Sequence, residues 1–197
     1  MPRLALILAL IGCSDPTNPD AAPAAEAPVA EPAPVPDSKP TAAAKPATLP
    51  PPFSADVIRE AMPVGTRIAL QANLPSGNQE IVDWEVTGAT PETVTIRTTQ
   101  RTIDGEAKDA PKERTSPWTE LESHAIFPAA QTTRTTETIT VGAGTFEAWR
   151  YDVVIAQGQG INKFWFAPEL PGPPVLYLTE RQGTEVFRME MIRRTSP

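Results

Sequence analysis

The chain has 197 residues, with 17 Lys and Arg against 24 Asp and Glu, a formal net charge of -7, one Cys, one His and 24 Pro. One cysteine excludes an internal disulfide, and one Cys with one His excludes a Cys/His zinc centre. A sequence pI of about 4.8 leaves no overall basic footprint for nucleic acid or for an anionic lipid surface. The length suits one domain with a tail.

Met1-Pro2-Arg3 is a minimal positive start, followed by the unbroken apolar run Leu4 to Ile11 (LALILALI). A bilayer-spanning helix needs roughly 20 apolar residues, so this run is too short to span and fits the apolar centre of a signal peptide. It ends in Leu10-Ile11-Gly12-Cys13, followed at once by polar Ser14-Asp15. Those four residues resemble the lipobox of bacterial lipoproteins. The resemblance covers the first 13 residues and implies that residues 1–12 are a signal peptide. It further implies that Cys13 carries the lipid, palmitate included, and becomes the mature N-terminus. Each buried CH₂ contributes about 0.8 kcal/mol, so such a lipid group would hold the protein at a membrane. Cys13 is then an anchor and not a nucleophile. Ser14, standing where the enterobacterial sorting pattern has Asp for inner-membrane retention, implies the outer membrane. The expected location is the cell envelope, lipid-anchored, at the outer membrane facing the periplasm or at the cell surface.

Residues 13–52 change character: of these 40 residues, 12 are Pro, 11 are Ala and none is aromatic. Such a segment buries too little apolar surface to offset its ordering entropy, so a disordered Pro/Ala linker biased toward polyproline II is expected. Fully extended at ~3.1 Å per residue, it would reach roughly 120 Å, the length of a stalk. From Phe53 onward the composition is that of a folded domain, residues 53–197, long enough for a real core.

Within that domain Ser54 can cap a short helix over 55–62, ended by Pro63 and Gly65. Residues 66–74 alternate, with Ile68, Leu70 and Ala72 opposite Arg67 and Gln71. After the turn Pro75-Ser76-Gly77-Asn78, residues 80–88 alternate again, Val82, Trp84 and Val86 opposite Asp83, Glu85 and Thr87. A third strand is expected over 93–103. Residues 105–115 read as a charged loop, and Ser116-Pro117 as the cap and first position of a short helix to about His124, with Trp118, Leu121 and Ala125 on one face. Strands then resume over 133–141, 145–156, 161–167, 175–180 and 184–193, separated by Gly- and Pro-rich turns. The expected fold is mainly β: a curled antiparallel meander of about eight strands, a half-barrel or open barrel, with one or two short helices. Two short helices cannot cover both faces of so large a sheet, so it either closes on itself or leaves an apolar groove.

Several arrangements imitate catalytic or metal sites. Gly142-Ala143-Gly144 lies between two strands and lacks the third glycine and following helix of a phosphate loop, so it is a hairpin turn. His124 has no GxSxG serine and no free cysteine to serve; beside Glu120 and Glu122 near a helix end, it reads as a capping or packing residue. Asp83 and Glu85 share one strand face and read as its solvated side, not as a carboxylate pair across a cleft. Asp104, Glu106 and Asp109 lack the alternation and glycine of a calcium loop, and Lys108, Lys112 and Arg114 crowd them. No metal, no cofactor and no catalytic residue is expected.

The aromatic residues are more informative. Trp149 and Tyr151 share a face with Val153 and Ile155, whereas Phe164, Trp165 and Phe166 occupy both faces of their strand. Phe187, Met189 and Met191 line one face of the last strand. Large apolar groups on both faces mean a strand covered on both sides or one lining a pocket, and Trp149, Tyr151, Phe164 and Phe166 form the candidate apolar face.

Ala143-Gly144-Thr145-Phe146 with Trp149 and Tyr151, then Phe164-Trp165-Phe166-Ala167-Pro168 and Pro171-Gly172, resembles uncharacterised bacterial envelope modules whose curled sheets are similar in outline to periplasmic lipoprotein carriers of the LolA/LolB kind. The resemblance covers about residues 133–194 and implies a fold; it brings no catalytic residues. The expected function is that of a lipid-anchored, non-enzymatic binding domain for an apolar ligand or lipid. The alternative is a structural or assembly lipoprotein that binds an envelope protein partner.

Overall fold

The computed structural model describes residues 47–155 and 158–197. The expected signal peptide, the lipid site Cys13 and the linker up to residue 46 lie outside the described residues.

Among the described residues, nine strands form one antiparallel sheet: β1 (Arg67–Asn73), β2 (Gln79–Ala89), β3 (Thr93–Thr102), β4 (Lys112–Pro117), β5 (Thr132–Val141), β6 (Gly144–Val154), β7 (Ile161–Phe166), β8 (Leu176–Arg181) and β9 (Thr184–Thr195). Two short helices accompany them, α1 (Ala55–Ala61) and α2 (Trp118–Ser123). The strand order is β4-β3-β2-β1-β9-β8-β7-β6-β5. Two meanders of sequential hairpins are thus joined at their centre by one pairing of distant strands, β1 with β9. β4 and β5 are the outer edges, the sheet stays open between them, and α2 carries the chain from one edge to the other.

The strand count exceeds the expected eight by one. Residues 112–117, expected as the end of a charged loop and a helix cap, instead form β4 and pair with β3, Thr98 opposite Lys112 through Thr93 opposite Pro117. An edge strand keeps one side in water, so it tolerates charge that a central strand would not. Lys112, Glu113, Arg114 and Thr115 are all exposed. Ser116 consequently lies inside a strand, buried opposite Val94, and Pro117 precedes α2 without a side-chain cap.

The sheet is strongly curled at one end. Neighbouring strands lie about 4.8 Å apart, so β6 and β9, with two strands between them, would be roughly 14 Å apart in a flat sheet. Yet the tip of the β5–β6 hairpin reaches β9, where the Ala143 N–H donates to the Met191 carbonyl at 2.9 Å. Close approach here requires glycine: a Cβ on Gly142 would lie 2.9 Å from Ile192 Cγ2 and 3.0 Å from its Cα.

The helices sit on one face. Ser54 caps α1 by accepting from the Val57 N–H at 3.4 Å, as its position in the sequence suggests. The Ala55 N–H, an open donor of the first turn, donates to Glu122 Oε2 of α2 at 3.0 Å, which locks the two helices together. At the other end of α1 the Arg194 guanidinium donates to the Ala61 carbonyl at 2.6 Å and to the Pro171 carbonyl at 3.0 Å. Burial lowers the pKa of Arg194 from its ordinary value, and these two carbonyls satisfy the cation where a helix C-terminus favours one. Trp118, the large anchor of α2, is 2% exposed and its Nε1–H donates to the Thr90 carbonyl at 2.9 Å. Ile58, Met62, Ile68, Leu70, Val86 and Met191 complete this core. The fold also begins before Phe53: the Leu49 N–H donates to Phe127 O at 2.9 Å and the Ala129 N–H to Ala47 O at 3.0 Å. Residues 47–49 therefore form a strap bonded to the chain that leaves α2.

Gly142→Ala tests the folded-back hairpin. Removing a glycine normally stabilises by about 0.4–1 kcal/mol through the unfolded chain, whereas overpacking costs about 1–3 kcal/mol. With backbone in the way the clash dominates, and urea unfolding is expected to show a net loss of about 1–2 kcal/mol. An unchanged midpoint would contradict this packing.

Candidate functional site

The register brings the four singled-out aromatics together. Tyr151 on β6 pairs with Phe164 on β7, and Trp149 with Phe166. Directly opposed residues share a face, so the four rings form one patch. It is the face that carries the helices. Phe127, in the segment leaving α2, stacks on Phe164 at 5.0 Å between ring centroids and lies 5.4 Å from Tyr151. Phe53, just before α1, meets Trp149 at 5.8 Å and Phe166 at 6.1 Å. Phe53 and Phe127 thus cover the patch, each meeting two of its four rings.

Beyond that cover the rings continue across the sheet. Phe164 stacks on Tyr177 of β8 at 4.7 Å with the planes 5° apart, and Tyr177 meets Phe187 of β9 at 5.4 Å. Met189 lies opposite Tyr177 in the β8–β9 register. Tyr151 and Phe166 are buried, but Phe164, Tyr177, Phe187 and Met189 are each only half-buried. The far end of the ladder is polar: the Thr179 hydroxyl donates to Asn162 Oδ1 at 2.9 Å, and the Tyr177 hydroxyl to the same oxygen at 3.4 Å.

Tyr151 is the odd member. It is 0% exposed, yet its hydroxyl has no hydrogen-bond partner among the described residues. Burial raises its pKa, partly offset by the nearby Arg134. Arg134, paired with Tyr151 across the β5–β6 hairpin, places its guanidinium carbon 4.9 Å from the Trp149 ring centroid and 5.5 Å from that of Tyr151. A cation held over two aromatic faces is attracted by their quadrupoles.

The chain matches no family model, no curated protein and no solved structure.

The remaining candidates take structural places. His124 is the C-cap of α2, its Nε2 3.8 Å from Glu120 Oε1. Asp83 is paired with Arg101 at 2.6 Å, and Glu85 with Arg67 at 2.8 Å and Arg97 at 3.4 Å. The hydrogen bond from Arg67 leads the causes that lower the pKa of Glu85, so it stays ionised beside two guanidiniums. Among the described residues, no three His, Cys, Asp or Glu gather where a metal could be held, Asp104, Glu106 and Asp109 included. Gly142-Ala143-Gly144 forms the β5–β6 turn, with Val141 opposite Gly144. No helix among the described residues is long and apolar enough to cross a membrane. Cys13 lies outside the described residues. Alternation in the sequence identified the face of each aromatic strand. The contributions of Phe53 and Phe127 carry no local signal, because both come from segments flanking helices.

The unpartnered hydroxyl gives a direct test. An unsatisfied buried donor costs about 1–3 kcal/mol, so Tyr151→Phe should leave stability unchanged or raise it, by about 1 kcal/mol at most once packing changes are included. Thermal or urea unfolding checks this. A loss above about 1 kcal/mol would mean that the hydroxyl is hydrogen-bonded in solution.

Proposed function

We propose that this chain is a lipid-anchored cell-envelope protein whose β domain binds an apolar ligand, an acyl chain or a lipid, without catalysing its conversion. The observation that carries the reading is the half-buried ring run Phe164–Tyr177–Phe187, which continues past the cover formed by Phe53 and Phe127. Fully burying one exposed side chain of this kind is worth about 1.5–3 kcal/mol; these rings are already half-buried, so an apolar chain laid along them gains only the remaining part of that, together with the burial of its own surface, before ordering costs. The hydrogen-bonded pair of Asn162 and Thr179 makes the far end polar, where a ligand's polar terminus would lie. An open curled sheet with short helices on one face is also what the resemblance to carriers of the LolA/LolB kind implies, and the lipobox-like Leu10–Cys13 supplies the address. The second reading, an assembly lipoprotein that binds an envelope protein, is favoured by β5, an edge strand of 10 residues that is mostly exposed and open to strand addition.

Two measurements test this. Phe164→Ala and Tyr177→Ala should each weaken binding of a fluorescent long-chain fatty acid by about tenfold, the equivalent of ~1.4 kcal/mol, while Thr138→Ala on the exposed β5 edge should not. Equal affinity in all three variants would remove the apolar-ligand reading and shift weight to the protein partner. For the anchor, Cys13→Ala should move the protein from the membrane to the soluble fraction or block its maturation; a processed, membrane-bound variant would refute lipidation at this residue.

A further inference from the structure

The face of the sheet away from the helices carries a second, unrelated feature. There the register lines up Arg193 on β9, Ala69 on β1, Asp83 on β2 and Thr99 on β3 in one row across the strands. The next row holds Arg67, Glu85 and Arg97. Side chains in adjacent strands start about 5 Å apart, and Ala69 ends at its Cβ. The long side chains around it enclose a depression of about 370 Å³.

Arg67 donates through Nε and Nη2 to Glu85 Oε1 at 3.2 and 2.8 Å, and Arg97 through Nη1 to Glu85 Oε2 at 3.4 Å. Arg97 spends its Nε on Glu113 at 3.0 Å. Arg101 donates through Nε and Nη2 to the two Asp83 oxygens at 2.6 and 3.5 Å. Every carboxylate oxygen of Asp83 and Glu85 is therefore engaged. What remains is on the donor side: Nη1 of Arg67, Nη1 of Arg101, and all five N–H groups of Arg193, which is exposed and has no hydrogen bond or ion pair among the described residues. Four guanidiniums face three carboxylates, Glu113 included, so the cluster keeps a positive excess in a chain whose net charge is -7.

We propose that this depression is an oxyanion site that takes a phosphate group, with Arg193 as its principal ligand and Arg67 and Arg101 closing around it. Guanidiniums bind phosphate through paired, charge-assisted hydrogen bonds. Here the free donors come from three different strands around one depression. A tetrahedral phosphate presents oxygens in several directions to such a ring, whereas a planar carboxylate presents two in one plane. The phosphate can belong to a soluble ester or to a lipid headgroup.

Calorimetric titration of the full chain carrying Cys13→Ser with inorganic phosphate tests the site. Saturable binding is expected, weakened at least about tenfold by Arg193→Ala and similarly by Ala69→Val, which fills the floor without changing charge. Arg181→Ala removes an exposed arginine at the β8–β9 turn and should leave the affinity unchanged; unfolding midpoints establish that each variant is folded. Sedimentation with phosphatidylglycerol vesicles distinguishes the sources. Retention lost in Arg193→Ala assigns a lipid headgroup, and phosphate binding without retention assigns a soluble ester, either supporting the site. No saturable phosphate binding, or an equal loss in Arg181→Ala, would overturn it.

Discussion

The pairing of β1 with β9 holds this fold together. Every other pairing in the sheet joins strands that follow one another in the chain, so each meander can form locally. Joining them requires the beginning and the end of the domain to meet, a contact of large sequence separation whose loop-closure entropy must be offset by burial. The register supplies that burial. Leu70 stands opposite Met191, both among the most deeply buried side chains, and Ala72 opposite Met189. The irregularity at Ala69/Leu70 then lets Arg194 reach the helix-bearing face, where it binds the end of α1, while Arg193 stands beside Ala69 on the other.

Across β1 to β4 one register therefore produces two faces of opposite chemistry, whereas on β7 and β8 the second face is apolar too, with Trp165, Leu176 and Leu178 buried there. On one, the helices and the two flanking phenylalanines cover part of an aromatic ladder and leave the rest half-buried. On the other, arginines and carboxylates alternate across β1, β2, β3 and β4, so that Arg67, Glu85, Arg97 and Glu113 form a ladder of opposite charges. Exposed ion pairs of this kind contribute little each, about 0–1 kcal/mol, and stability comes mainly from the apolar face. That division leaves the polar face free to be arranged for recognition.

Much of the architecture was legible because a half-buried antiparallel strand writes its period of two into the sequence. Ile68, Leu70 and Ala72 opposite Arg67 and Gln71 gave β1, and the parity of Trp149, Tyr151, Phe164 and Phe166 placed them on shared faces before any register was known. The failures have physical causes. β4 carries Lys112, Glu113 and Arg114 in succession, a pattern allowed only at an edge, and nothing local says that a segment is an edge. The β1–β9 pairing and the covering of the aromatic patch by Phe53 and Phe127 depend on distant segments meeting. The arginine depression depends on register across four strands: Arg193, Ala69, Asp83 and Thr99 are unremarkable until the sheet sets them side by side.

An apolar ligand in the envelope would occupy the half-buried ladder. Native mass spectrometry of the full chain, extracted gently from membranes, addresses this occupancy most directly. A reproducible extra mass is expected, beyond any lipid attached at Cys13, that partitions into organic solvent and is lost when Phe164 and Tyr177 are replaced by alanine. A folded chain that carries no such mass, across preparations that retain known envelope lipids, would contradict it.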